Sequence, residues 1–293
     1  MACYQVAFAL PADRAGLAEA ALEASGASAV TWGETPGSAA VLEPPPGETR
    51  LWERVRMSAL FAADVDRSAI REAVTLALGA LPADWQEAEV AEQAWERAWL
   101  DHFQPRAFGN GLWVVPRDMA PPEPDALNLR LDPGLAFGTG SHPSTALCLA
   151  GLAAEPPRGE TLIDYGCGSG ILAVAALLLG ARRVVAVDND PQALAASDDN
   201  ARHNGVADRL ELTEPGADLP PADRVVANIL AGVLQSLAPR LTAPLAGGGR
   251  LMLAGILAGQ AAPVRAAFEP ACRFREPVLR DGWVRLDGER RAL

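Results

Sequence analysis

Thr161-Leu162-Ile163-Asp164-Tyr165-Gly166-Cys167-Gly168-Ser169-Gly170 reads as a short buried strand running into a glycine loop, and Ile171 to Leu179 as an apolar helix stopped by Gly180. Arg183-Val184-Val185-Ala186-Val187-Asp188 is then a second strand that ends on an acid. Glycines at alternate positions let the backbone turn sharply and approach a ligand above the helix N-terminus without Cβ clashes. Asp188, at the tip of the next strand, is placed to accept hydrogen bonds from vicinal ribose hydroxyls. Strand, glycine turn and helix alternate from Leu127 onward, which predicts an α/β domain with a mostly parallel sheet covered by helices on both faces. Together these features describe a site for an adenosine-type cofactor.

Two cofactors compete for that site. Gly168-Ser169-Gly170-Ile171-Leu172-Ala173 satisfies the G-x-G-x-x-A variant of the dinucleotide fingerprint. The tighter triple Gly166-x-Gly168-x-Gly170, directly after Asp164, instead resembles the first motif of class I S-adenosylmethionine-dependent methyltransferases. In that motif the acid before the loop faces the methionine moiety and no pyrophosphate needs the helix dipole. Further on, Arg224-Val225-Val226-Ala227-Asn228-Ile229-Leu230 is a strand whose tip carries Asn228, one strand-helix-strand unit past Asp188. It is similar to the Asn-Pro-Pro-aromatic motif of amino-group methyltransferases, with Ile229 and Leu230 in place of the prolines and no aromatic.

Upstream lies Leu131-Asp132-Pro133-Gly134-Leu135-Ala136-Phe137-Gly138-Thr139-Gly140-Ser141-His142-Pro143-Ser144-Thr145. With the segments at Asp164 to Gly170, Asp188 to Pro191 and Asn228 to Gly232, this resembles the ribosomal protein methyltransferase A family, whose members methylate large-subunit ribosomal protein L11. The resemblance covers nearly the whole chain, because Pro46-Gly47-Glu48-Thr49-Arg50-Leu51-Trp52 and Trp95-Glu96-Arg97-Ala98-Trp99 also look like that family. It implies a Rossmann-like class I methyltransferase domain with a seven-stranded sheet, preceded by a ferredoxin-like domain that captures the ribosomal protein. It also implies an S-adenosylmethionine site at Thr145, Gly166, Asp188 and Asn228, supported by Asp164, Gly168 and Gly170, with Phe137 and Gly138 closing over the cofactor. Asn228 would position the reacting amine, and the amines would be the N-terminal α-amine and lysine ε-amines of L11. The chain departs from the pattern at Asn189, after the ribose acid, and at Ser141 and Ser144, where threonines are expected and the hydroxyls are kept.

The 293 residues suffice for about two domains. With 49% hydrophobic and 21% charged residues the chain is in the ordinary globular range. All 25 basic residues are arginine, because no lysine occurs anywhere. That excludes a P-loop, a protein kinase and Schiff-base chemistry, each of which needs a lysine amine. The cysteines Cys3, Cys148, Cys167 and Cys272 form no Cys-x-x-Cys, and His102, His142 and His203 never pair at helical spacing, so neither a metal nor a disulfide framework is expected. A net charge of −12 argues against direct binding to nucleic acid. Apolar runs are too short to span a bilayer, so the expectation is a cytoplasmic protein, and no heptads suggest anything but a monomer.

Residues 1–90 read as alternating short elements. Tyr4 to Leu10, Ala27 to Trp32, Arg54 to Ala62 and Trp85 to Val90 are strand candidates. Arg14 to Ala24 and Arg67 to Leu78 are helix candidates, and Glu43 to Glu48 is a proline-rich loop. This order predicts a small α+β ferredoxin-like domain. Residues 91–126 are expected to be a linker, a helix over Ala91 to Asp101 with Trp95 and Trp99 on one face and then an irregular connection, with the catalytic domain at 127–293. The rival readings are a methyltransferase for another amine substrate, a nicotinamide-dependent dehydrogenase, and a noncatalytic ribosome-assembly factor. A release-factor glutamine methyltransferase should carry Asn-Pro-Pro-Tyr, which is missing here.

Overall fold

The computed structural model describes residues 3–35, 53–90, 104–131 and 140–292. The proline-rich loop at 43–48, the segment Pro46 to Trp52, the helix expected at 91–101 and the site residues Phe137 and Gly138 lie outside them. The chain divides into two compact units, Met1–Asp101 and His102–Leu293.

The first unit runs β1 (Cys3–Pro11), α1 (Ala15–Ala24), β2 (Ala29–Glu34), β3 (Arg54–Ala62), α2 (Arg67–Leu78) and β4 (Gln86–Val90). Its strands form one antiparallel sheet in the order β2-β3-β1-β4, the ferredoxin-like arrangement that the alternating pattern predicts. Strand periodicity sends Tyr4, Val6, Phe8 and Leu10 of β1, and Val55, Met57, Ala59 and Phe61 of β3, to one buried face. The helices cover that face with Ala15, Ala18 and Leu22 of α1 and Ile70, Val74 and Leu78 of α2, three or four residues apart in each case. Asp66 starts α2 by accepting from the backbone N–H of Ser68 and Ala69 at 2.9 and 3.2 Å.

The second unit begins with β5 (Arg106–Ala107), β6 (Leu112–Pro116) and β7 (Leu127–Leu131), which form a three-stranded sheet. This differs from the expected irregular connection and places 104–126 with the C-terminal unit. The proline and glycine density belongs to the turns, whereas Leu112, Val114 and Val115 are buried and β6 pairs in parallel with β7. The chain continues through α3 (Pro143–Ala154), β8 (Thr161–Tyr165), α4 (Ile171–Leu178), β9 (Arg183–Val187), α5 (Pro191–His203), β10 (Leu210–Thr213), β11 (Ala222–Asn228), α6 (Ala231–Thr242), β12 (Leu245–Leu257), α7 (Ala261–Phe268), β13 (Cys272–Phe274), β14 (Val278–Arg280) and β15 (Trp283–Arg290).

The main sheet has the order β10-β9-β8-β11-β12-β15-β13, parallel from β10 to β12 and antiparallel where β15 joins. Seven strands were expected, and β14 makes an eighth in the same seven positions. It pairs with Trp283 to Arg285 of β15 while β13 pairs with Gly288 to Arg290, so the two share one edge. Between them Glu276-Pro277 interrupts the ladder, as a residue without an N–H must. All of β8 and most of β9 are buried, as strands covered on both faces require. The chain leaves β8 toward β9 and β10, then crosses back to β11 and β12 on the other side. The carboxyl ends of β8 and β11 therefore meet at a topological switch point, where a crevice for ligands opens in such sheets.

Candidate active site

Asp164 sits within β8, 1% exposed. Its Oδ2 accepts from the backbone N–H of Ala173 in the first turn of α4 at 3.0 Å. Its Oδ1 is buried with no hydrogen-bond partner. Burial above all, and then the charge of Asp188, push its pKa up to about 7, against the lowering effect of the Ala173 bond. A carboxyl group thus lies beneath the glycine loop with one oxygen unsatisfied.

The loop takes its shape from Gly166, Gly168 and Gly170, whose φ values of 77°, 54° and 75° lie in the left-handed region that only glycine enters without strain. Gly166 and Cys167 donate to the carbonyl of Val187 at 2.7 and 3.1 Å, which ties the loop to the end of β9. Gly168 donates to Oδ2 of Asp188 at 2.9 Å, and Asp190 donates to its Oδ1 at 3.0 Å. One bond to each oxygen holds this carboxylate in place and leaves further lone pairs for ribose hydroxyls.

Two residues the sequence reading did not single out complete the loop. Ser197 Oγ donates to the Gly168 carbonyl and Asn200 Nδ2 to the Ser169 carbonyl, both at 2.9 Å. Both side chains are buried on α5. The available signal was a pair of polar residues three apart on the face that carries Ala193 and Ala201, which are also buried.

Across the switch point, Asn228 ends β11 half-buried. Its Nδ2 donates to Oγ1 of Thr145 at 3.2 Å, and Thr145 is 1% exposed in the first turn of α3. That turn is fixed by Pro143 at its start and by the cap His142, whose Nδ1 accepts from the Ser144 N–H at 3.3 Å. Burial lowers the His142 pKa, and its ring meets Trp283 edge-on at 4.5 Å between centroids. The amide of Asn228 is thereby oriented with its donor engaged and its carbonyl left as an acceptor. The structure brings Thr145 to Asn228, Gly168 to Asp188 and Gly166 to the end of β9, places the Asp188 charge close enough to act on Asp164, and leaves Gly170 bonded within the loop to the Cys167 carbonyl. Among the described residues no group of three or more His, Cys, Asp or Glu side chains could hold a metal ion, and no helix is long and apolar enough to cross a membrane.

Residues 3–291 match the model of the family described as ribosomal protein L11 methyltransferase, PrmA. The chain belongs to this family. Among relatives of the methyltransferase, the ribosomal protein L11 methyltransferase of Azotobacter vinelandii is 51% identical over 290 residues, 98% of this chain and 99% of that one. That of Alkalilimnicola ehrlichii is 52% identical over 277 residues, 93% and 94% of the two chains. Among solved structures, the ribosomal protein L11 methylase of Lactobacillus delbrueckii subsp. bulgaricus superposes with a TM-score of 0.59 at 33% identity, covering 64% of this chain and 99% of that chain. The protein is an S-adenosylmethionine-dependent methyltransferase with the class I, Rossmann-like fold that the glycine loop announced.

Proposed function

We propose that the enzyme transfers methyl groups from S-adenosylmethionine to the N-terminal α-amine and lysine ε-amines of large-subunit ribosomal protein L11, as a cytoplasmic monomer without contacting nucleic acid. The observation that carries this reading is the hydrogen bond from Asn228 to Thr145 at the switch point, because it leaves an amide carbonyl free to receive an amine N–H. The names of the relatives supply the protein substrate.

The residues present fit the cofactor. Asp164 offers its unsatisfied Oδ1 to the methionine ammonium, and Asp188 offers its remaining lone pairs to the ribose. Gly166, Gly168 and Gly170 supply the left-handed turns that carry the loop backbone beneath it, and Thr145 closes the side nearest Asn228. When bound, S-adenosylmethionine supplies a methyl group activated by its neutral thioether leaving group. A dinucleotide fits less well. Its pyrophosphate needs the N-terminus of α4, where Asp164 already takes the Ala173 N–H.

The protein's work is to position a neutral amine in line and to exclude water. A lysine of pKa about 10.4 is neutral about 0.04% of the time at pH 7, a penalty of about 4.6 kcal/mol, whereas an α-amine near 7.7 to 8.0 loses only about 1 to 1.4 kcal/mol. The N-terminal amine is therefore intrinsically easier. The Asn228 carbonyl orients the amine N–H groups and steadies the positive charge that develops on nitrogen. The ferredoxin-like unit supplies the surface that captures the protein substrate.

Intact-mass spectrometry of purified L11 from the same organism, after incubation with enzyme and S-adenosylmethionine, tests this directly. Mass increments in steps of one methyl are expected. No increment while the cofactor still binds moves the assignment to another amine substrate, and no binding would overturn the cofactor site assigned above.

A further inference from the structure

Ile229 follows Asn228 directly, and two glycines, one in the loop after β8 and one in β12, are shaped around it. A Cβ placed on Gly166 would lie 2.3 Å from Ile229 Cγ2, so the β-branch of this side chain fills the space that any other residue at 166 would need. A Cβ placed on Gly255 would lie 2.3, 2.9 and 3.0 Å from the O, C and N of Ile229, so the backbone itself crosses the face of Gly255. Gly255 stands at φ +79°, within the stretch of β12 where its register with β15 shifts between Leu253 and Ile256. Such a bulge bends a strand and commonly stands beside a functional site. The next residue, Leu230, is half exposed, so Ile229 is the last anchored residue before the chain turns outward into α6.

Resting on the function proposed above, we infer that Ile229 and Gly255 are positioning residues for methyl transfer. Gly255 admits the Ile229 backbone and so sets where β11 delivers the Asn228 amide. Ile229 Cγ2 then bears on Gly166, so the glycine loop beneath the cofactor and the amide beside the amine are held at one separation by a single side chain. A displacement on the order of 1 Å between reacting groups costs about a hundredfold in rate, which is why a contact that touches neither reactant matters.

The shape of the contact gives the test. Ile229→Val keeps the β-branch that meets Gly166 and loses one methyl group. Ile229→Leu keeps the volume and loses the branch. The expected result is that Ile229→Val stays within about twofold of the parent in kcat on L11 and in calorimetric affinity for S-adenosylhomocysteine, while Ile229→Leu loses about tenfold in each, with both variants folded by circular dichroism. If Leu equals or exceeds Val on both readouts, Ile229 is only core filling and the inference falls. A parent that leaves L11 unmodified would overturn the substrate assignment instead, and the affinity comparison would still decide the contact. Gly255→Ala extends the test, with kcat expected to fall about tenfold or more because the obstructing atoms are backbone and cannot turn aside.

Discussion

Nδ2 of Asn228 donates to Oγ1 of Thr145 at 3.2 Å, although 83 residues of chain separate the two. The bond joins the end of a central strand to the first turn of a helix that precedes the glycine loop. Replacing Asn228 with Ala removes the carbonyl that orients the amine and steadies its developing charge. The expected loss is about 10² to 10³ in kcat, larger than any loss of cofactor affinity, measured by steady-state methylation of L11 and by calorimetry. Retained binding of L11 by this variant, with turnover gone, also separates the enzyme from a noncatalytic assembly factor.

Asp164 makes cofactor binding depend on pH. Its pKa is raised to about 7, chiefly by burial, so the folded, cofactor-free protein holds this proton where the unfolded chain releases it. The stability it contributes is complete below the ordinary carboxyl pKa and is lost as pH rises through about 7. The groups facing it are the Asp188 carboxylate and the thiols of Cys148 and Cys167, both held well above the usual thiol range by burial. An ammonium bonded to Oδ1 favours the charged form, so S-adenosylhomocysteine should bind more tightly as pH goes from about 5.5 to 7, with proton release. Calorimetry in buffers of different ionisation enthalpy reads the proton directly. Asp164→Asn should abolish both the release and the pH dependence.

The Asn200 side chain holds the glycine loop from behind. Asn200→Ala leaves the buried Ser169 carbonyl without this donor, which costs about 1 to 3 kcal/mol. Urea denaturation should show a loss of that size, accompanied by weaker cofactor binding. An unchanged midpoint would mean that water takes over the bond.

Arg224 is 2% exposed at the start of the parallel pairing of β11, where its Nε donates to Glu160 Oε2 at 3.0 Å and its Nη1 to the Glu155 carbonyl at 2.8 Å. Burial lowers the arginine's pKa, with Glu160 opposing. Arg224→Met removes one partner and leaves Glu160 to Arg250 alone. A stability loss of about 3 kcal/mol is expected, at the lower end for breaking a buried pair because Glu160 is 16% exposed. Since this cluster lies away from the carboxyl ends of the strands, kcat at 25 °C should hold.

Methylation should become faster as pH rises from about 6.5 to 9, because only the neutral amine reacts and no residue of the site has been assigned as its base. The gain should be steeper for lysines than for the N-terminal amine above about pH 8, where the latter is already mostly neutral. Single-turnover rates across that range, resolved by site with peptide mass spectrometry, check both statements. A flat profile with chemistry rate-limiting would point to a base within the enzyme.

Most of this architecture could be read from the chain because its signals are local. The glycine triple after Asp164 demands left-handed backbone wherever it folds, and the apolar run after it must be covered on every side. The alternation of β1 and the spacing of Ile70, Val74 and Leu78 also state their buried faces without knowledge of what covers them. Where the local signal was mixed, reading failed. Strand β6 lay between prolines and glycines and passed for a linker, and only its parallel pairing with β7 shows that Leu112, Val114 and Val115 belong to a sheet.

The sequence by itself determined the order of strands and helices in the first unit, the glycine loop with the strands and helix that flank it, and the acids at the strand tips, since each depends on periodicity or on backbone conformation over a few residues. Only the tertiary structure decided that Thr145 meets Asn228, that Ser197 and Asn200 hold the loop, that Asp164 keeps one oxygen unsatisfied, and that Ile229 lies between Gly166 and Gly255. Those relationships depend on crossovers that bring distant strand ends to one switch point. Burial and partnership there are set by what packs above each residue, which no short window of sequence contains.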